Sequence, residues 1–140
     1  MGDKMGLEEV VVKSGSKQSE GRIIPRHYEE LTQDQKYFID RLNRFEAPYL
    51  QEKLMSDGRF ETQEGYHEAF DEFKKYVLLK KLNRKGSLAM TSPKVDEVWH
   101  QFILFTQQYN QFCEEMLGEY LHHIPKTSLL HLLKVVGKDL

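Results

Sequence analysis

Four side chains in the C-terminal third of the chain, His100, Cys113, His122 and His123, are of the types that ligate zinc or exchange protons near neutral pH. Asp96 stands one helical turn before His100. Spacing decides whether these groups can meet. On one unbroken helix from Pro93 to Leu117, His100 and Cys113 lie about 20 Å apart and face different sides. The chain from Leu117 to His122 reaches back at most ~18 Å, against about 26 Å along the helix from Leu117 to His100. A shared site therefore requires the helix to break. Thr106 is the place where it could, because its hydroxyl can cap a second helix beginning at Gln107. The continuous apolar period through this region argues the other way, so both forms stay open.

Each residue also has a plain structural role. His100 can be a buried imidazole locked by Asp96, and Cys113 falls on an apolar stripe where a core thiol fits. His122 and His123 can cap helix-end carbonyls, bind metal or serve a partner surface. His27, His67 and His131 are too scattered to assign. Nucleophile–base pairs, phosphate-binding loops and Cys-x-x-Cys motifs are missing from the sequence, so no catalytic residues are assigned.

The elements that must position these groups read as helices. Ser92 and Pro93 open one, with Asp96 and Glu97 at its positive end. Val95, Val98, Trp99, Phe102, Ile103 and Phe105 recur at helical spacing, and Leu104 with His100 places further bulk on the opposite side, so this helix reads as surrounded by protein. Tyr109, Phe112, Cys113 and Met116 continue the period to Gly118, a helix stop. Upstream, Thr32-Gln33-Asp34-Gln35 has capping-box form ahead of Phe38, Ile39, Leu42 and Phe45. Pro48 restarts a short helix to Met55, and Asp57-Gly58 is a turn.

Thr62 begins a third helix with the stripe Tyr66, Ala69, Phe70, Phe73 and Val77. Beyond Val77 the pattern slips, which predicts that this helix leaves the core or bends before Gly86 closes it. Lys74, Lys75, Lys80, Lys81, Arg84 and Lys85 read first as a solvated helix end, then as a patch for an acidic partner. Leu129 to Val136 predicts a last short helix. Residues 1–26 are glycine-rich and polar, predicting a mobile arm, although Val10-Val11-Val12 and Ile23-Ile24 could pair as a weak hairpin.

Composition narrows the function. A formal net charge of −2 and a pI near 6.3 make nucleic-acid coating an unsuitable task. No apolar run reaches the ~18–20 residues of a membrane span, and no signal-peptide pattern opens the chain. A single cysteine suits a reducing compartment, with the cytoplasm as the default.

The stretch from Tyr66 to Pro125 resembles the bacterial and plant glycine-rich domain-containing proteins of unknown function. The likeness rests on Val95-Asp96-x-x-Trp99-His100, Ile103-Leu104-x-Thr106-x-x-Tyr109-x-x-x-Cys113 and Gly118-x-x-x-His122-His123-x-Pro125. Many relatives read Trp-His-x-His, where this chain has Phe102 on the core stripe, so a second histidine ligand is missing. The glycine-rich tail is missing too. The resemblance implies no settled activity.

The fold expected is all-α: four to five helices packed around a central helix at about 93–117. A flexible arm spans 1–26 and a single helical domain 27–140. The function expected is a small intracellular binding or protein-interaction module, with Asp96, Trp99, His100, Tyr109, His122 and His123 as its motif and an unknown protein or small molecule as partner. The alternative is a zinc-binding or metal-assisted domain using His100, His122 and His123 with Asp96. Zinc is the one cofactor considered.

Overall fold

The computed structural model of the chain describes residues 10–14, 21–83 and 92–123. Among these, a two-stranded hairpin of β1 (Val10–Ser14) and β2 (Gly21–Pro25) precedes a 3-10 turn and five helices. The helices are α1 (Gln33–Arg44), α2 (Pro48–Ser56), α3 (Gln63–Asn83), α4 (Pro93–Leu104) and α5 (Thr106–Leu117). The all-α expectation holds. No helix among the described residues is long and apolar enough to cross a membrane.

Helix starts and stops follow local chemistry. Thr32 Oγ1 accepts from the Gln35 amide at 3.1 Å, and Gln35 Oε1 accepts from the Thr32 amide at 2.9 Å, completing the capping box. Thr62 Oγ1 accepts from the Gly65 amide at 3.0 Å, at the start of α3. Ser92 caps α4 through the Val95 amide. Gly118 ends α5 with φ +74°, a left-handed conformation that suits glycine.

Three expectations are corrected. First, α3 does not leave the core after Val77. Tyr76, Val77, Leu78 and Leu79 are all buried, because α3 meets α1, α2, α4 and β2 on different sides. A stretch of helix with neighbours on several sides needs no single stripe. Second, of the two forms left open for 93–117 the broken one is found, so two helices stand where a single central helix is expected. The break falls at Phe105 (φ −85°, ψ 72°), one residue before Thr106, and α5 receives no side-chain cap there. Third, α4 is not surrounded by protein: Leu104 is 61 % exposed and His100 is exposed. Val95, Val98, Trp99 and Phe102 form its buried face, and His100 sits roughly 150° around the helix from the middle of that face.

The core between α3, α4 and α5 is aromatic. Phe102, fully buried, lies 5.9 Å from Phe73, 5.2 Å from Phe112 and 5.0 Å from Tyr109, ring centre to ring centre. It is plain packing, as expected from its place on the core stripe. Phe45, just beyond α1, joins the cluster 4.7 Å from Phe112.

The strands pair antiparallel, Val12 opposite Ile23, and Val10 and Ile23 enter the core. Asn43 on α1 fixes β2: its Oδ1 accepts from the Ile23 amide at 2.8 Å and its Nδ2 donates to the Ile23 carbonyl at 3.1 Å. The hairpin weighed for the two β-prone islands therefore forms. The remaining residues of the expected mobile arm, 1–9 and 15–20, lie outside the described residues. So do Gly86 and the helix expected at Leu129–Val136.

Ile23 carries the hairpin's attachment. Ile23→Ala should lower stability by about 2–5 kcal/mol, the range for emptying a buried aliphatic site. Urea denaturation of the variant measures this, and an arm without packing would give no change.

Candidate functional site

Two places concentrate polar chemistry inside this fold. One holds the Trp99, Tyr109, Cys113 and His123 side chains singled out in the sequence. Gly118 turns the chain at the end of α5, and residues 119–123 run back over α4. Tyr109 ties the three pieces together: its hydroxyl accepts from the Trp99 indole N–H at 2.9 Å and donates to the Leu121 carbonyl. The Leu121 amide donates to Cys113 Sγ at 3.4 Å. His123 ends the run with Nε2 2.6 Å from Asp96 Oδ1 and its ring edge-on to Trp99 at 4.9 Å. An ionised carboxylate has no donor, so Nε2 carries the proton of this bond. Burial pushes both the Tyr109 hydroxyl and the Cys113 thiol above their usual ranges, so both stay neutral.

The partner of Asp96 is thus His123 and not His100. Asp96 lies beside the buried face of α4, where the returning tail reaches it, while His100 points away to solvent. His122 is exposed and meets the Tyr120 ring at 4.7 Å. The structure therefore does not gather His100, His122 and His123. Among the described residues no three His, Cys, Asp or Glu side chains are grouped to hold a metal ion. Of the motif, Asp96, Trp99, Tyr109 and His123 come together with Cys113, and their bonding capacity is used in holding the tail.

The second place is a cleft of about 460 Å³ between α3 and the Phe45–Pro48 connection that joins α1 to α2. From α3 come Tyr66, His67, Phe70, Asp71 and Lys74. His67, Asp71 and Lys74 follow at steps of four and three residues, which puts them on one helix face. Lys74 is 5 % exposed and is the one buried charged residue among those described. Its ammonium donates to the Phe45 carbonyl at 2.8 Å and reaches the Asn43 carbonyl at 3.4 Å. These carbonyls end α1, where the helix has no donors of its own. The expectation of a solvated basic run is corrected at this residue. Lys75 remains a surface partner of Glu72 at 3.5 Å.

Burial dominates the cleft's titration. It lowers Lys74 to about 8, against the opposing pull of Asp71 and Glu46. It raises Asp71 to about 6, although Lys74 and Lys75 oppose the shift. His67 is lowered by the same cause. An acid and a base displaced toward neutrality in one concavity mark a functional site more often than a structural one. Tyr66 adds a further signal. It is 2 % exposed, yet its hydroxyl makes no hydrogen bond among the described residues. Among the described residues no side-chain nitrogen or oxygen fully cut off from solvent lacks a partner, so this hydroxyl opens onto the cleft it lines. From the sequence, Tyr66 and Phe70 read as core and Lys74 as part of a basic run, and neither His67 nor Asp71 is assigned to a site. The spacing of His67, Asp71 and Lys74 was legible, but the wall that closes over them comes from a distant connection.

Two outcomes test these assignments. Tyr109→Phe strands the Trp99 N–H and the Leu121 carbonyl, and should cost about 1–3 kcal/mol or more. His100→Ala should change stability by no more than about 0.5 kcal/mol, as an exposed site predicts; urea denaturation of both variants separates them. The second outcome concerns pH. Lys74 is lowered from 10.5 to about 8, so the unfolded chain binds more protons between these values and stability should rise as pH climbs through them. Asp71 is raised from 3.8 to about 6, so the folded chain binds more protons in that window and stability should rise as pH falls through it. For Lys74 the gain is on the order of 1–3 kcal/mol, and less for the more exposed Asp71. Unfolding free energies at stepped pH check this, with Lys74→Met and Asp71→Asn each flattened in its own window.

Neither a curated protein nor a solved structure matches the chain. A family model does match, over residues 27–135, a span that contains the cleft and the whole clasp that Asp96, Trp99, Tyr109, Cys113 and His123 make on the tail. The chain belongs to the UCP032817-like family.

Proposed function

We propose that this chain is a small intracellular binding module whose ligand site is the cleft between α3 and the Phe45–Pro48 connection. The UCP032817-like family is uncharacterised, so the reading rests on the site. One observation carries it. The Tyr66 hydroxyl and the Asp71 carboxylate face a concavity without hydrogen-bond partners of their own, while the polar groups of the clasp are matched. Cavities of about 300–1,000 Å³ with a few converging polar groups on aromatic walls are the usual form of small-molecule sites.

The clasp has the complementary role of holding the tail so that α4 and α5 brace α3 from behind. Kinship with the glycine-rich domain-containing proteins, carried by the Trp-His and His-His spacing, belongs to the same proposal. So does a reducing, cytoplasmic setting, supported by the one cysteine, a free thiol in the core. The arrangement of the histidines gives no support to a metal-assisted reaction.

A fragment set of mixed charge, followed by amide chemical shifts of isotope-labelled protein, tests the reading. Saturable shifts confined to residues 44–51 and 66–74 are expected. Shifts centred instead on α5 and the 119–123 tail would move the function to the clasp and overturn the assignment.

A further inference from the structure

The permanent cations of the cleft are engaged, while two of its carboxylates are free. Both cations that line it already have oxygen partners. Lys74 holds the Phe45 and Asn43 carbonyls, and Arg44 Nη2 lies 2.7 Å from Asp40 Oδ2. Two carboxylates, Asp71 and Glu46, make neither a hydrogen bond nor an ion pair among the described residues. Both act on the Tyr66 hydroxyl closely enough to oppose its ionisation. That hydroxyl is the independent sign of a ligand: a polar group almost fully enclosed, without a partner, at the wall of the same cleft. Phe45, Tyr66 and Phe70 supply the aromatic part of the lining.

We propose that the cleft takes a small organic cation, an alkyl- or arylammonium, with its charged head between Asp71 and Glu46 beside the Tyr66 hydroxyl and its carbon body on the aromatic wall. This rests on the binding reading above and adds the ligand's chemical class. An ammonium head supplies the donors that the free oxygens need, and aromatic faces attract cations through their negative centres. An anion would find Lys74 held by backbone carbonyls and would meet two carboxylates.

One scaffold with three heads tests the class: phenethylamine, 2-phenylethanol and phenylacetate, titrated against full-length protein while amide shifts are followed. Phenethylamine should shift amides across Tyr66–Lys74 saturably, and at least about tenfold more tightly than 2-phenylethanol. Asp71→Asn and Glu46→Gln, each checked for an unchanged amide spectrum elsewhere, should each weaken the amine and leave the alcohol unaffected. Phenylacetate or the alcohol binding the cleft as tightly as the amine overturns the cation and leaves the binding module standing. No shift at the cleft by any of the three removes both. A lysine flanked by acetyl and amide groups carries the same head on a peptide. If it bound more tightly than phenethylamine, the ligand would be a protein side chain and the small-molecule assignment would fall.

Discussion

The hydroxyl of Tyr109 is the atom on which the C-terminal half of this fold depends. It is bonded on both sides, by the indole of α4 and by a backbone carbonyl of the returning tail. A phenol can donate once and accept as well, so one oxygen joins three segments without stranding any of them. The geometry works only because the chain breaks at Phe105. Two helices of twelve residues can turn Trp99 and Tyr109 toward each other, ten positions apart in sequence. A single straight rod would hold them ~15 Å apart along its axis. The break and the buried hydrogen bond are thus one feature seen at two scales.

Lys74 does for the N-terminal half what Tyr109 does for the other. A buried ammonium without partners would be strongly destabilising. Placed against the last carbonyls of α1, it supplies donors where a helix end has none, and fixes the connection that becomes the wall of the cleft. The same contact explains why its neighbours look functional. A lysine occupied by backbone carbonyls leaves Asp71 on the same helix face without an ion-pair partner.

Much of the frame was legible in the sequence because its signals are local. Thr32 with Gln35, Ser92 with Pro93, and Gly118 each specify a helix end through atoms within a few residues. Burial of Trp99 and Phe102 followed from spacing alone. What could not be read depends on contacts between distant segments. His123 and His100 are the same residue type at comparable reach of Asp96, and only the path of the chain after Gly118 selects between them. Lys74 sits in a run of basic residues, and nothing local separates it from Lys75; the separation comes from an α1 terminus some thirty positions earlier. The slip of pattern after Val77 misled for a related reason, since an amphipathic stripe signals one neighbour and α3 has several.

Asn43 has a consequence beyond anchoring the hairpin. A two-stranded sheet has two open rims, each a template onto which a foreign strand can add. Ile23 turns its amide and carbonyl away from β1, and the single carboxamide of Asn43 answers both, donor to acceptor and acceptor to donor. In bonding terms the side chain is a third strand one residue long. It closes the rim of β2 at its apolar midpoint with a group that cannot itself be extended, and so leaves no site there from which cross-β growth could begin.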